Sequence, residues 1–460
     1  MKVPELNISV KKFDRFIEPV EIYEKLYRRD KYSFLYESLE KSETSGRFTI
    51  LGGKPFLIFL SYGKDVTAKG RETMRFRANP YEVLRELVKS GKHNFSFPIF
   101  SGGAVGFISY DSVRFFEDIP DSNPETTGFP DMFFIFPSEI FVIDHLEGNM
   151  YLIQYYETSS IDRQREIENL LFQSSSERIR YEIKIDNVRG SVTKEKFMEM
   201  VRKAREYILA GDIFQVVLSQ RFEFEISNEP YLLFKRMRIT NPAPYMYYQK
   251  FGRFHVLGSS PETLVKLKGD TAITRPIAGT RRRGKTPEED KRLEQELTTN
   301  EKERAEHIML VDLARNDLGK VCEPGTIVPE ELMVVRRYSE VMHMVSTVKG
   351  KLSPKEDAFS LFAACFPAGT VSGAPKIRAM EIIDELEEVK RSVYAGAIGY
   401  FDFTGDMDFC IAIRSIFIKD NHAYLQAGAG IVADSDPEFE YRETLNKLSA
   451  LFKACSGDIG

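Results

Sequence analysis

The chain has 460 residues, more than one hydrophobic core usually serves, so two domains or one large composite domain are expected. Its 42% hydrophobic and 29% charged residues are ordinary for a globular protein, and a net charge of −5 argues against nucleic acid as the main partner, because phosphate binding favours a basic surface. Zinc chemistry is disfavoured too, since the six histidines stand at no ligand-like spacing from one another or from cysteine. The cysteines, Cys322, Cys365, Cys410 and Cys455, are widely separated beside apolar runs, so buried free thiols in a reducing cytoplasm are expected. The N-terminal residues lack the apolar core of a signal peptide, and the most apolar stretch, Met132–Ile143, is broken by Pro137 and Glu139. No membrane span is expected, and the cytoplasm is the expected location.

Residues 1–175 read as a strand-rich unit. Phe56–Leu60, Met132–Phe136, Glu139–Asp144 and Met150–Tyr156 are short β-branched or aromatic runs between turn signals, and HLEGN joins the last two into a hairpin. One amphipathic helix follows near Ile161–Phe172, then a serine run and a weakly patterned charged segment that marks a boundary. A second unit, 190–460, opens with a helix over Lys194–Leu209 stopped by Gly211, then a strand over Phe214–Phe222. Helices and strands afterwards mix without a βαβ period, which implies α+β with antiparallel sheets. Gly103-Ala104-Val105-Gly106-Phe107 is echoed by Gly396-Ala397-Ile398-Gly399-Tyr400; a duplicated strand motif and chance both produce such a match.

Two helices carry paired carboxylates. Asn300 and Glu303 read as a capping box; Ala305, Ile308, Met309 and Asp312 follow as the buried face, and Glu303 and Glu306 share a neighbouring one. Near the C-terminus Ser435 and Glu438 form a second capping box, with Pro437 in the first turn and Tyr441, Leu445, Leu448 and Phe452 facing inward. Here Glu440 and Glu443 repeat the spacing. A Glu-x-x-Glu pair is by itself most often a solvated face, but two such helices can gather four carboxylates around a hard cation, and all-oxygen ligands favour Mg²⁺. Glu306, nearer the apolar stripe, is the expected direct ligand and Glu303 the water-mediated one.

Small residues with a hydroxyl and a cation recur in Pro276–Gly284, Phe366–Lys376 and Ile411–Ser415, a combination that suits an anionic small molecule. Arg414 lies in an apolar run and needs an acidic partner, either a protein carboxylate or a ligand's. His343 is a satisfied core histidine or a proton carrier. Ala427-Gly428-Ala429-Gly430 follows a strand, but too little chain remains after it for a dinucleotide-binding unit; it is a tight turn or a close backbone approach to a carboxylate.

Taken together, SSPE, PIAGTRRRG, AEHIMLVDLARND, VMHMVS, GTVSGAPK, AIRS, AGAGIVADSDPE and ETLNK resemble, in order, the motifs of the chorismate-utilising enzymes. The resemblance implies a four-layer α/β/β/α architecture with two large antiparallel sheets, and Mg²⁺-dependent chemistry on the chorismate ring. Gln215 stands where isochorismate and salicylate synthases carry a lysine base, and a neutral amide cannot deprotonate water. Ala278 stands where aminodeoxychorismate synthases commonly carry a lysine, and a methyl group cannot form an amine adduct. What remains resembles the large subunits of anthranilate synthases, with ammonia supplied by a glutamine amidotransferase partner in a hetero-oligomer.

By that resemblance, Glu303, Glu306, Glu440 and Glu443 hold the metal, Glu262 protonates the departing C4 hydroxyl, and His343 assists loss of the enolpyruvyl group. Tyr394 and Arg414 hold the pyruvyl carboxylate with backbone donors from Gly428, Ala429 and Gly430, while Gly279, Thr280 and Thr370 position the ring. Phe34–Glu40 and Asn241–Met246 resemble the LLES and NPxPYM elements of a tryptophan feedback site, which implies Glu37, Ser38, Arg47, Pro244, Tyr245, Met246 and Cys410 as its lining. The alternatives are an aminodeoxychorismate synthase lacking the lysine, and a non-catalytic amino-acid sensor.

Overall fold

The computed structural model describes residues 2–39, 46–93, 95–173, 182–183, 185–227, 229–338, 341–455 and 457–458. Glu40 of the first inhibitor-site motif and the serine run at 174–176 lie outside them. The fold is α+β, and every strand ladder is antiparallel. Apart from one short two-stranded pairing, the strands belong to a single hydrogen-bonded network with helices packed on it. Among the described residues, no helix is long and apolar enough to cross a membrane.

Alternation along the strands divides the core. Phe34 and Ile50 face one buried cluster while their neighbours Leu35 and Leu51 face another, and Val256 and Leu257 divide in the same way. A strand covered on both faces has no polar side, so these segments read as continuous apolar runs. Ladders cross the boundary between the two expected units: Tyr32–Glu37 pairs with Tyr245–Phe251, and Gly103–Ile108 with Ala397–Asp402.

The echoed motifs are those last two strands, lying side by side with Gly106 opposite Gly399. Their surroundings match as well. A Cβ on Gly106 would strike the Phe133 carbonyl and the Phe134 ring, and one on Gly399 the Asp408 carbonyl and the Phe409 ring. Both glycines therefore let an aromatic side chain cross close over the backbone.

The hairpin through HLEGN forms, pairing Glu139–Asp144 with Asn149–Gln154. The runs Met132–Phe136 and Glu139–Asp144 are not separate strands, however. They form one strand, Met132–Asp144, whose Pro137 faces Pro55 of the strand Phe48–Tyr62 where the register shifts, so the missing N–H groups fall at an irregularity. Cys322, Cys365 and Cys410 are buried free thiols.

Local signals located the helices. Ile161–Phe172 forms as expected, and Lys194–Ala210 is capped by the Thr193 hydroxyl and ends at Gly211, which takes φ 87°. Asn300 caps the helix Glu301–Gly319 through the Glu303 N–H, but the expected buried face is wrong. His307, Leu310, Val311 and Leu318 point inward, whereas Ala305, Ile308 and Asp312 are exposed. Glu306 is half-buried beside the true stripe. In the C-terminal helix Pro437–Cys455, Asp436 rather than Ser435 accepts the capping bond, from the Phe439 N–H. The Ser435 hydroxyl instead accepts from the Val432 N–H and lies against Glu440. Glu440, Thr444, Leu448 and Leu451 are buried in this helix, while Tyr441, Leu445 and Phe452 are half-buried.

Gly106→Ala and Gly399→Ala should each cost about 2–3 kcal/mol, since a methyl there forces backbone apart. Denaturant unfolding that left either variant at wild-type stability would show the two crossings to be looser than described.

Candidate active site

Glu262 lies in the short break between the strands Phe254–Ser260 and Thr263–Lys268, and its carbonyl accepts the Ile411 N–H at 3.1 Å. Its carboxyl is buried, and burial raises its pKa to about 8 against the opposing pull of Thr370, the Ile277 N–H and, more weakly, Arg414. A carboxyl held neutral at physiological pH is a proton donor. The buried Thr370 hydroxyl stabilises that carboxyl without closing an aligned hydrogen bond, so it keeps capacity for a ligand.

His343 is buried in the strand Val341–Lys351. Its Nδ1 stands 3.1 Å from the Gly279 carbonyl and 3.0 Å from the Thr280 hydroxyl. A carbonyl can only accept, so Nδ1 carries the proton and Nε2 the free lone pair. Nε2 is buried with no protein partner. Burial first, and Arg414 second, lower the imidazole to about 4, which leaves a neutral base. Gly279 makes this possible: it takes φ 67° at a register shift, and a Cβ there would meet Glu303.

Arg414 is not inside a strand. It sits between Met407–Ile411 and Ser415–Lys419 at φ 50°, and among the described residues it makes no ion pair. Its surface is open, yet desolvation by the surrounding protein lowers its pKa, with Tyr338 and Glu262 as the nearest opposing groups. A guanidinium that is accessible within a desolvating cleft suits a ligand carboxylate.

Gly428, Ala429 and Gly430 form no turn. They belong to the strand His422–Ile431, paired with Ser219, Leu218 and Val217. Their small size clears room: a Cβ on Gly428 would meet the Tyr394 hydroxyl, and one on Gly430 the Gln215 amide.

Beneath these groups lies Arg391, 2% exposed. It pairs with Glu387 at 2.6 Å and donates to the carbonyls of Val371 at 2.7 Å and Val217 at 2.6 Å, with Tyr110 and Tyr394 over its plane. Glu387 accepts in turn from the Ser219 N–H and hydroxyl.

The two helices bring Glu306 and Glu443 within electrostatic reach of each other, with Glu303 beside Glu306 and Glu440 beside Glu443. Glu306 is raised by burial and then by the charge of Glu303, with Glu443 adding to it and Gln215 and Lys447 opposing. Glu440 is raised by burial and by Glu443. Glu303 is held by Arg281 at 2.9 Å and Glu443 by Lys447 at 2.8 Å. Among the described residues no three histidine, cysteine, aspartate or glutamate side chains converge as they do around a bound ion. The donors are nonetheless all carboxylate oxygens whose mutual repulsion a cation relieves, so they fit a hard divalent ion.

A second concavity, a cavity of about 460 Å³, lies nearby. Glu37, Ser38, Arg47, Pro244, Tyr245, Met246 and Cys410 all line it. Glu37 is buried and tied to Arg238 at 2.8 Å, the Ser38 hydroxyl has no partner, and Tyr245 donates to Asp408 at 2.9 Å. Arg47 is already engaged by Asp144 in a two-pronged pair. Sequence reasoning missed Arg391, Arg281, Lys447, Arg238 and Tyr338. Arg391 closes the charged stretch Glu385–Arg391 and Arg281 opens the run Arg281–Arg283, so neither stands out from the charges around it.

The family model described as chorismate binding enzyme matches residues 31–453. The chain is 44% identical to anthranilate synthase component 1 of Acetivibrio thermocellus, over 95% of this chain and 92% of that protein. It is 43% identical to the component 1 of Aquifex aeolicus, with the same coverage. The crystal structure of anthranilate synthase component I from Streptococcus pneumoniae superimposes with a TM-score of 0.81 at 38% identity, covering 95% of this chain and 97% of that one.

Nitrogen-15 histidine spectra, assigned with His343→Gln, should show His343 as the neutral Nδ1–H tautomer down to about pH 5, because its pKa lies near 4. An imidazolium signal at pH 7 would contradict the buried, partnerless Nε2.

Proposed function

The chain belongs to the chorismate-binding enzymes, and on that premise we propose that it is the large subunit of an anthranilate synthase, converting chorismate and ammonia to anthranilate, pyruvate and water. The observation that carries this choice is the pair of neutral side chains at 215 and 278. Gln215 offers its amide to Glu306 at 3.4 Å, and Ala278 is a buried methyl beside Gly279. Neither can activate water or form a covalent adduct with the ring, so external ammonia is the nucleophile.

Arg414 and Tyr394 hold the pyruvyl carboxylate, and Thr280 and Thr370 orient the ring. Glu262 donates its proton to the C4 hydroxyl, which departs as water while ammonia adds at C2. His343 Nε2 then removes the C2 proton, and the enolpyruvyl group leaves to become pyruvate. Burial thus sets the two groups to opposite tasks, one carboxyl kept protonated and one imidazole kept bare. Glu303, Glu306, Glu440 and Glu443 would hold Mg²⁺, with Glu303 and Glu443 first released from Arg281 and Lys447. The ion would supply positive charge for the ring carboxylate.

Ammonia would come from a glutaminase subunit; that the relatives are named component 1 supports a multi-subunit enzyme. We further propose that the 460 Å³ cavity binds tryptophan as a feedback inhibitor, with Glu37 and the partnerless Ser38 hydroxyl meeting the amino-acid head group and Met246 and Ile398 among the apolar walls.

Incubating the purified chain with chorismate, ammonium and Mg²⁺, then identifying the product by mass spectrometry and ring-substitution NMR, tests the assignment. Anthranilate is expected; isochorismate or an aminodeoxychorismate as end product would overturn it. At fixed free ammonia, kcat/KM should fall above about pH 8 as Glu262 loses its proton. Glu262→Gln should lower kcat by about 10²–10⁴-fold in a chain that still folds.

A further inference from the structure

The tryptophan cavity and the reaction site share walls. Tyr338 lines the cavity, and its ring packs edge-on against His343 with centroids 5.4 Å apart at 65°. Ile277 also lines the cavity, and its N–H supports the Glu262 carboxyl. Thr263, next to Glu262, lines it as well and meets the Tyr245 hydroxyl at 2.9 Å. Both proton-transfer groups therefore stand one contact from the cavity.

Of these contacts, the one at Tyr338 is between side chains and is able to move. Its backbone is fixed, because its carbonyl accepts from Arg283 at 2.6 Å and its N–H reaches the Val341 carbonyl at 2.8 Å. A ligand in the cavity must therefore displace the ring rather than the chain. On the far side, Nδ1 is tethered to the Gly279 carbonyl and the Thr280 hydroxyl while Nε2 has no protein partner, so a shifted Tyr338 ring changes where Nε2 points.

Resting on the reading of this cavity as an amino-acid site, we infer that Tyr338 is a positioning residue for His343 and the contact through which a ligand in the cavity stops the reaction. The phenol acts on His343 by its ring. Inhibition then acts on turnover and not only on chorismate binding.

The chain contains no tryptophan, so indole fluorescence in a titration belongs to the ligand alone and gives its affinity without an activity assay. Wild type, Tyr338→Leu and Tyr338→Phe are compared for tryptophan affinity, for kcat and KM, and for residual activity at saturating tryptophan. Tyr338→Leu should bind tryptophan within about threefold of wild type yet keep more than about half of its own activity when saturated, a loss of coupling at the scale typical of such linkages. Its kcat should fall about tenfold with KM little changed, as expected for lost orientation at a reacting group. Tyr338→Phe, which keeps the ring beside His343, should keep wild-type inhibition at saturating tryptophan. The inference is overturned if binding and inhibition weaken in parallel in Tyr338→Leu, if inhibition stays complete, or if Tyr338→Phe behaves like the leucine variant. Wild type that binds no tryptophan would remove the cavity reading itself, and wild type that binds it without inhibition would remove only the coupling.

Discussion

Arg391 is almost wholly cut off from water, and its guanidinium holds several parts of the chain at once. It fixes the Val217 carbonyl of the strand Gln215–Ile226, the Val371 carbonyl beside Thr370, and Glu387 at the end of the helix Lys376–Leu386, while Tyr110 and Tyr394 cover its plane. An unpaired buried guanidinium would be very costly, so these partners must converge for the chain to fold. Its arrangement also sets the substrate end of the site: Thr370 is the neighbour of one acceptor, and Tyr394 packs over the same charge and reaches into the space left by Gly428. Asp111, from the N-terminal half, accepts the Ser392 N–H at 2.7 Å next to this centre, so that half of the chain helps to shape the reaction site.

Burial is the second organising effect, and it acts with opposite sign on Glu262 and His343. Desolvation disfavours whichever form is charged, so it holds the Glu262 carboxyl protonated and the His343 imidazole unprotonated. Arg414 works in the same direction on the histidine and against it on the glutamate, without outweighing burial in either case. A neutral carboxyl and a neutral imidazole thus stand in the same site without any ligand. The carboxylates of the two acidic helices differ: Arg281 screens Glu303 and Lys447 screens Glu443.

What was legible in the chain was mostly local. Helix limits follow from caps within a few residues, as at Thr193 and Gly211, and the antiparallel class follows from hairpin signals and the missing βαβ period. The inward face of Glu301–Gly319 was misread because Ile308 and Met309 are apolar, whereas the stripe that packs contains His307, whose Nε2 meets the Ser346 hydroxyl at 2.6 Å. A polar residue satisfied by a distant partner looks like a surface residue in sequence. For Gly428 and Gly430 the sequence leaves a turn and a close backbone approach both open, because the side chains for which they make room, Tyr394 and Gln215, come from elsewhere in the chain.

The sequence by itself determined the residue types: paired glutamates on two helices, a lone arginine and histidine amid apolar runs, and neutral side chains at 215 and 278. These are properties of composition and short spacing, and chemistry constrains them directly. Only the tertiary structure decided their states. Long-range packing sets which nitrogen of His343 is bare, how far Glu262 is removed from water, and that Arg414 lacks an ion-pair partner among the described residues. It also sets the aromatic contact of Tyr338 with His343 at the wall of the cavity. Such properties depend on desolvation and on distances between segments remote in sequence, which no local pattern encodes.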